Sequence, residues 1–314
     1  MKKVLSLLSL ILLMVVMVSC GDKEKQEAPK EMPSATLSSK ISVLTPGGMP
    51  FVALGGLLFN ENIEITVADG PKTLAPALMK GEYDIIIAPV NLGVQKFNEG
   101  SLKYVASHII TGNNAYIVSK TELNGFNDLD GKEVLAFGKE ASLGIPGTAL
   151  KKAYEKNNLD ISNVKYNYDS SANVYANFLA SDANYALMSE PEISKLVLND
   201  KANIKTLDLK TVLGTDFAQA CVYVNPNSEK QEDVNKVLTL MGELNKVLNE
   251  DTEFYVDSIL PLDRMFNDAY GKEILVRCIP LSNIIFKEAK TNKEYIENTL
   301  NLLGIKLPTD AFYR

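Results

Sequence analysis

"ISVLTPGGMPFVALGGLLFNENIEITVADGPKTLAPALMKGEYDIIIAPVNLG" runs from Ile41 to Gly93, and its rhythm decides the architecture. A short apolar strand, Ile41 to Leu44, meets the turn Thr45-Pro46-Gly47-Gly48. The next residues predict a helix from Met49 or Pro50 to Phe59, with Pro50 tolerated in its first turn. "IEITVADG" alternates as a strand, and "PKTLAPALMKGE" predicts a short helix with Leu74, Leu78 and Met79 on one side. Tyr83 to Ala88 is almost continuously apolar, the signature of a strand buried on both faces. Strand–helix–strand–helix–strand predicts an α/β fold with a mainly parallel sheet.

The pattern then restarts. "KEVLAFGKEASLGIPGTALKKAYEKNNLD", "VKYNYDSSANVYANFLAS" and "ANYALMSEPEISKLVLN" each read as strand, turn and helix. Two β-rich segments belong to neither run: Asn113–Leu123 after the first and Asp216–Lys230 after the second. Each is long enough to pass from one lobe to the other. "EDVNKVLTLMGELNKVLN" then carries Val234, Val237, Leu238, Met241, Leu244, Val247 and Leu248 at helical spacing. A returning chain would pack that helix on the first lobe.

The N-terminus is of another kind. Lys2 and Lys3 precede a largely apolar run from Val4 to Val18, of signal-peptide length and short for a membrane span. "VMVSC" resembles a bacterial lipobox, which implies cleavage after residue 19 and lipid on the Cys20 thiol. Residues 20–39, rich in Lys, Glu, Gln, Pro and Ser, predict a disordered tether. The folded body would then work on the extracytoplasmic face of the cell membrane.

With 32 Lys and Arg against 39 Asp and Glu the net charge is −7, and losing Lys2 and Lys3 with the leader makes it about −9. That balance argues against nucleic-acid binding, which needs a basic footprint. Cys221 and Cys278 are the only cysteines after Cys20. They read as two buried thiols or as one bridge. No CxxC, paired-histidine or zinc-ligand pattern occurs, so neither metal nor cofactor is expected. His108 is the sole histidine, and no G-x-S-x-G elbow or Walker loop accompanies it.

Four stretches, "LTPGGMPFVALGGLL", "LMKGEYDIIIAP", "LDGKEVLAFGKEASLGIPGTALKKAYEKNNLD" and "FLASDANYALMSEPEISKL", resemble the substrate-binding proteins of ABC transporters. Within that family the likeness is to the group serving nitrate, sulfonate, taurine and thiamine-pyrimidine uptake. "ASDANYALM" departs from the family's Gly-x-(Val/Ala)-Asp-Ala by lacking the Asp. The resemblance implies a two-lobed type II periplasmic-binding-protein fold. Each lobe would be a mainly parallel sheet flanked by helices, with two crossing strands as the hinge. Lobe one would comprise residues 41–115 and 220–314, and lobe two residues 116–219. It also implies a monomer that takes a small-molecule ligand, closes on it, and meets an ABC permease and its ATPase.

Ligands of α/β sheets sit beyond the carboxyl ends of the strands. The sequence offers five loops of that kind. Thr45, Gly47, Gly48 and Met49 form the first, where glycines permit close backbone approach and a helix N-terminus favours anionic or polar groups. Pro89 and Asn91 form the second, Lys139 and Ser142 the third, Asp169 and Ser170 the fourth, and Glu190 the fifth. Plain turns and helix caps are the alternative readings of these residues. Tyr116 and Tyr223, near the crossings, are the aromatic candidates, with core packing as their alternative. Lys139 is the only basic residue in these loops, which favours a neutral or mildly polar ligand, although Arg264 and Arg277 in the tail could reach a cleft. The rival readings are an enzyme of pyrimidine or menaquinone metabolism on the same fold, and a surface lipoprotein without transport.

Overall fold

The computed structural model describes residues 30–68, 71–138, 144–199 and 204–314. The first sheet contains β1 (Ile41–Pro46), β2 (Ile63–Ala68), β3 (Ile85–Pro89), β4 (Val105–Gly112), β10 (Ala218–Val224) and β11 (Ile284–Glu288), in the order β11-β4-β10-β3-β1-β2. The second contains β5 (Tyr116–Ser119), β6 (Val134–Phe137), β7 (Val164–Tyr168), β8 (Tyr185–Met188) and β9 (Lys205–Asp208), in the order β7-β6-β8-β5-β9. The helices are α1 (Met49–Ala53), α2 (Pro71–Lys80), α3 (Val90–Asn98), α4 (Ile145–Lys156), α5 (Ser171–Ala180), α6 (Glu192–Asn199), α7 (Leu209–Leu213), α8 (Gln231–Glu250), α9 (Thr252–Ile259), α10 (Arg264–Ala269), α11 (Lys272–Cys278) and α12 (Lys293–Leu303).

Both sheets are more mixed than the strand–helix rhythm alone predicts. β1 pairs in parallel with β2 and β3, and β6 with β7 and β8. β10 runs antiparallel to β3 and β4, and β5 antiparallel to β8 and β9. Parallel pairing thus follows the helix-linked strands, whereas the strands flanking the two crossings enter in the opposite sense. The chain passes between sheets twice, from β4 to β5 through Asn113, Asn114 and Ala115, and from α7 to β10 through residues 214–217.

Ile85, Ile86, Ile87 and Ala88 have no exposed surface. Ile85 and Ile87 join the cluster under α8, while Ile86 and Ala88 join the cluster on the other face. α8 buries Val234, Val237, Leu238, Met241, Leu244 and Leu248, as its spacing predicts, with Val247 at the margin.

Three details differ from the sequence reading. The first helix stops at Ala53, and Gly55–Phe59 continue as a 3-10 turn. Two glycines weaken the helix there, and the Tyr255 hydroxyl donates to the Val52 carbonyl and accepts from the Gly56 N–H. In α2 the inner face is Leu74, Ala77 and Leu78, and Met79 points outward, 37% exposed. The tether reading for residues 20–39 does not hold from Met32 onward. Leu37 is buried in the cluster under α8, with Met32 and Ala35 packed against that cluster. The N–H groups of Ser38 and Ser39 donate to Asp233 Oδ2 at 3.0 and 2.8 Å, and Asn60 Nδ2 donates to the Ala35 carbonyl. A few apolar side chains and one buried carboxylate hold a segment whose composition alone reads as disordered. Residues 1–29, covering the leader, Cys20 and most of the tether, lie outside the described residues.

Candidate functional site

A cleft of about 590 Å³ opens where the strands of both sheets end. β1 delivers Gly47, Gly48 and Met49, and β3 delivers Pro89 and Asn91. From the other sheet, β6 ends at Phe137, β7 leads into Asp169 and Ser170, and β8 leads into Ser189 and Glu190. Most of the wall is apolar, with prolines 46, 50, 89, 146 and 191 prominent.

Gly48 has φ of +78°, in the left-handed region, and a Cβ there would meet nothing within 4 Å. Backbone conformation rather than space requires glycine at that position. The five-residue α1 that follows is too short to develop the end charge on which anion binding at a helix start depends.

Glu190 is 4% exposed, and its Oε2 accepts the Ser194 N–H at 2.9 Å. Asn114, in the first crossing, grips the Glu190 backbone from both sides. Its Oδ1 accepts the Glu190 N–H at 2.8 Å, and its Nδ2 donates to the Glu190 carbonyl at 3.2 Å. Burial pushes the Glu190 carboxyl up to about 7, against the Ser194 bonds and the positive Arg277, with Glu192 adding to the rise. Burial likewise raises Glu192, opposed chiefly by Lys195, whose Nζ lies 3.8 Å from Glu192 Oε1. The same Lys195 ammonium stands 5.2 Å from the centre of the Tyr270 ring. Lys195 belongs to α6 beside the second sheet, and Tyr270 ends α10, so the two sides meet at the rim of the cleft.

Ser170 Oγ caps α5 by accepting the Asn173 N–H, and Ser171 Oγ accepts the Ser189 N–H, tying the fourth loop to the fifth. Cap and cleft-wall readings of Ser170 therefore hold together.

Of the residues singled out from sequence, Gly47, Gly48, Met49, Pro89, Asn91, Asp169, Ser170 and Glu190 line this cleft. Thr45 does not: it is fully buried, with its hydroxyl on the Pro46 carbonyl. Nor does Tyr116, whose hydroxyl donates at 2.8 Å to the Leu281 carbonyl across the two sides. Lys139 and Ser142 lie outside the described residues. Tyr223 is a core residue, fully buried against Phe312. Arg264 and Arg277 are exposed and do not line the cleft. Asn114, Gln219, Tyr270 and Ser282 line it without having been foreseen. They come from the first crossing, β10 and the tail, and the return of the chain brings the last three to the strand ends.

His108 sits elsewhere, on β4, stacked on Phe286 with ring centres 4.2 Å apart and hydrogen-bonded to Ser107 Oγ. Cys221 and Cys278 are free and buried. The Cys278 thiol faces Met49 Sδ at 3.8 Å, and burial pushes the Cys221 thiol up to about 12. Among the described residues no group of three or more His, Cys, Asp or Glu is placed to hold a metal ion, and no helix is long and apolar enough to cross a membrane.

No family model and no curated protein matches the sequence. Solved structures do match. An ABC transporter structure from Parabacteroides distasonis superposes with a TM-score of 0.71 at 20% identity, covering 88% of this chain and 99% of that one. The periplasmic aliphatic sulphonate binding protein SsuA from Escherichia coli gives 0.64 at 14% identity, covering 86% of each chain. A Candida albicans protein described as exhibiting the generic periplasmic binding protein fold gives 0.54 at 14% identity, covering 87% of this chain and 92% of that one. Two helix-flanked sheets, two crossings and a cleft at the strand ends, together with these superpositions, establish that the chain has the periplasmic-binding-protein fold.

Proposed function

We propose that the protein is an extracytoplasmic solute-binding protein, anchored by lipid at Cys20, that captures a small organic molecule and delivers it to an ABC permease. Lobe one comprises residues 41–115 and 220–314, lobe two residues 116–219, and the lobes close on the ligand about the two crossings. The observation that carries the reading is a cleft lined by strand ends of both sheets, between which the described chain passes twice. Such a joint permits hinge rotation, and a ligand touching both walls favours the closed state because it binds that state better. Asn91, Asp169, Ser170 and Glu190 supply the polar contacts, and Gly47 and Gly48 admit close backbone approach.

The test is thermal unfolding of the chain from Gly21 onward against vitamins, pyrimidines, sulfonates, nitrate and aromatic acids. A ligand at a hundred times its Kd adds about 2.7 kcal/mol of stability. A shift confined to one chemical class, with a smaller radius of gyration in solution scattering, is the expected result. A folded protein that shifts with nothing counts against capture. Loss of radiolabelled-fatty-acid incorporation in Cys20→Ser checks the anchor.

A further inference from the structure

Three carboxyl groups, Asp169, Glu190 and Glu192, line the cleft, and no Lys, Arg or His does so among the described residues. Among the described residues, the bases beside these carboxyl groups are committed or exposed. Lys195 pairs with Glu192 and lies over Tyr270, and Arg277 is exposed on α11. The rings of Phe137 and Tyr270 line the cleft from opposite sides, and Tyr270 already shows that its face accepts an ammonium group. Gln219 Nε2 is buried there without a hydrogen-bond partner. A buried carboxylate lacking a full counter-charge is costly, and an anionic ligand would be set against this wall of carboxyl groups.

Resting on the capture reading above, we infer that the cleft selects a compact organic ligand carrying a protonated nitrogen, with Glu190 and Glu192 as its counter-charges and Phe137 and Tyr270 as its apolar walls. Below about pH 7 such a cation competes with the proton that burial favours on Glu190. The groups facing Glu190 are Glu192 and Ser194 on α6, Arg277 and Cys278 on α11, and the Tyr116 hydroxyl. Burial holds Tyr116 and Cys278 well above the range between pH 6 and 8.

The experiment compares isosteric probes of different charge by calorimetry at pH 6 and 8: benzamidinium, benzamide and benzoate, and cyclohexylammonium, cyclohexanol and cyclohexanecarboxylate. The expected result is that the cation of each set binds at least about tenfold tighter than its partners. Its affinity should rise about tenfold from pH 6 to 8 as Glu190 ionises, and Glu190→Gln should remove that rise. Should Glu190→Gln fail to fold, Glu192→Gln must still narrow the preference for the cation. Preference for a neutral or anionic probe, or a cation preference unchanged in both variants, overturns the inference and leaves capture standing. Silence from every probe at millimolar concentration overturns the inference, while capture is decided by the thermal-unfolding panel.

Discussion

Glu190 concentrates the chemistry of the cleft in one buried carboxyl. Its native carboxyl keeps its proton to about pH 7, whereas the unfolded chain releases it near the ordinary 4.5. Between those values the native state binds more protons, so its stability is greatest at the acid end and falls as pH rises. Glu190→Gln keeps an acceptor for the Ser194 N–H and should flatten that fall, which amounts to on the order of 3 kcal/mol. Urea midpoints at pH 4.5 and 7.5 check it: a variant falling as steeply as the parent assigns the slope to other groups. Asn114→Ala removes both partners of the Glu190 backbone and should cost about 2 kcal/mol. Its melting temperature should drop even without ligand.

At the scale of elements, α3 meets β10 at one glycine. A Cβ on Gly93 would overlap the Tyr223 hydroxyl and ring, and Tyr223 is fully buried between that helix and Phe312. Gly93→Ala should therefore destabilise by about 1–3 kcal/mol through overpacking, and pairing it with Tyr223→Phe should recover part of the loss. Equal loss in single and double variants would show that the backbone, not the hydroxyl, sets the spacing. The strap from Met32 to Lys40 gives another test. Asp233 accepts two of its N–H groups, so Asp233→Ala should speed amide exchange at Ser38 and Ser39 while amides in the centre of β3 stay protected. Faster exchange throughout would mean that Asp233 supports the whole core.

For the whole molecule, the question is how the two sides are held. Tyr116 on β5 reaches the Leu281 carbonyl in the tail, and Lys195 reaches Tyr270. Both contacts link the two sides, and both are lost if the sides part. Tyr116→Phe deletes one hydrogen bond at a joint and nothing in either core. It should shift the unliganded population toward the open form, increasing the radius of gyration and weakening ligand affinity several-fold, with little change in melting temperature. An unchanged radius would place the balance in the crossings themselves.

Much of this was readable in the chain. The continuous apolar run at Ile85–Ala88 announces a strand covered on both faces, because alternation disappears when neither face meets water. The heptad-like spacing of α8 and the Gly-Gly turn before α1 are local signals, decided within a few residues. So is the character of the loops that supply Gly47, Asn91, Asp169 and Glu190. What neighbours in sequence cannot encode is which distant segment arrives beside them. Thr45 and Tyr223 turn inward and Tyr116 spans the joint, although all three lie close to residues that face the cleft. Gln219, Tyr270 and Ser282 gain their places because the chain crosses back and its tail folds over the first sheet. Order in the strap from Met32 has the same origin, since its anchors, Asp233 and the core beneath Leu37, belong to segments far along the chain. Local periodicity follows from bond geometry and burial, whereas these contacts depend on long-range closure, which tertiary packing alone stabilises.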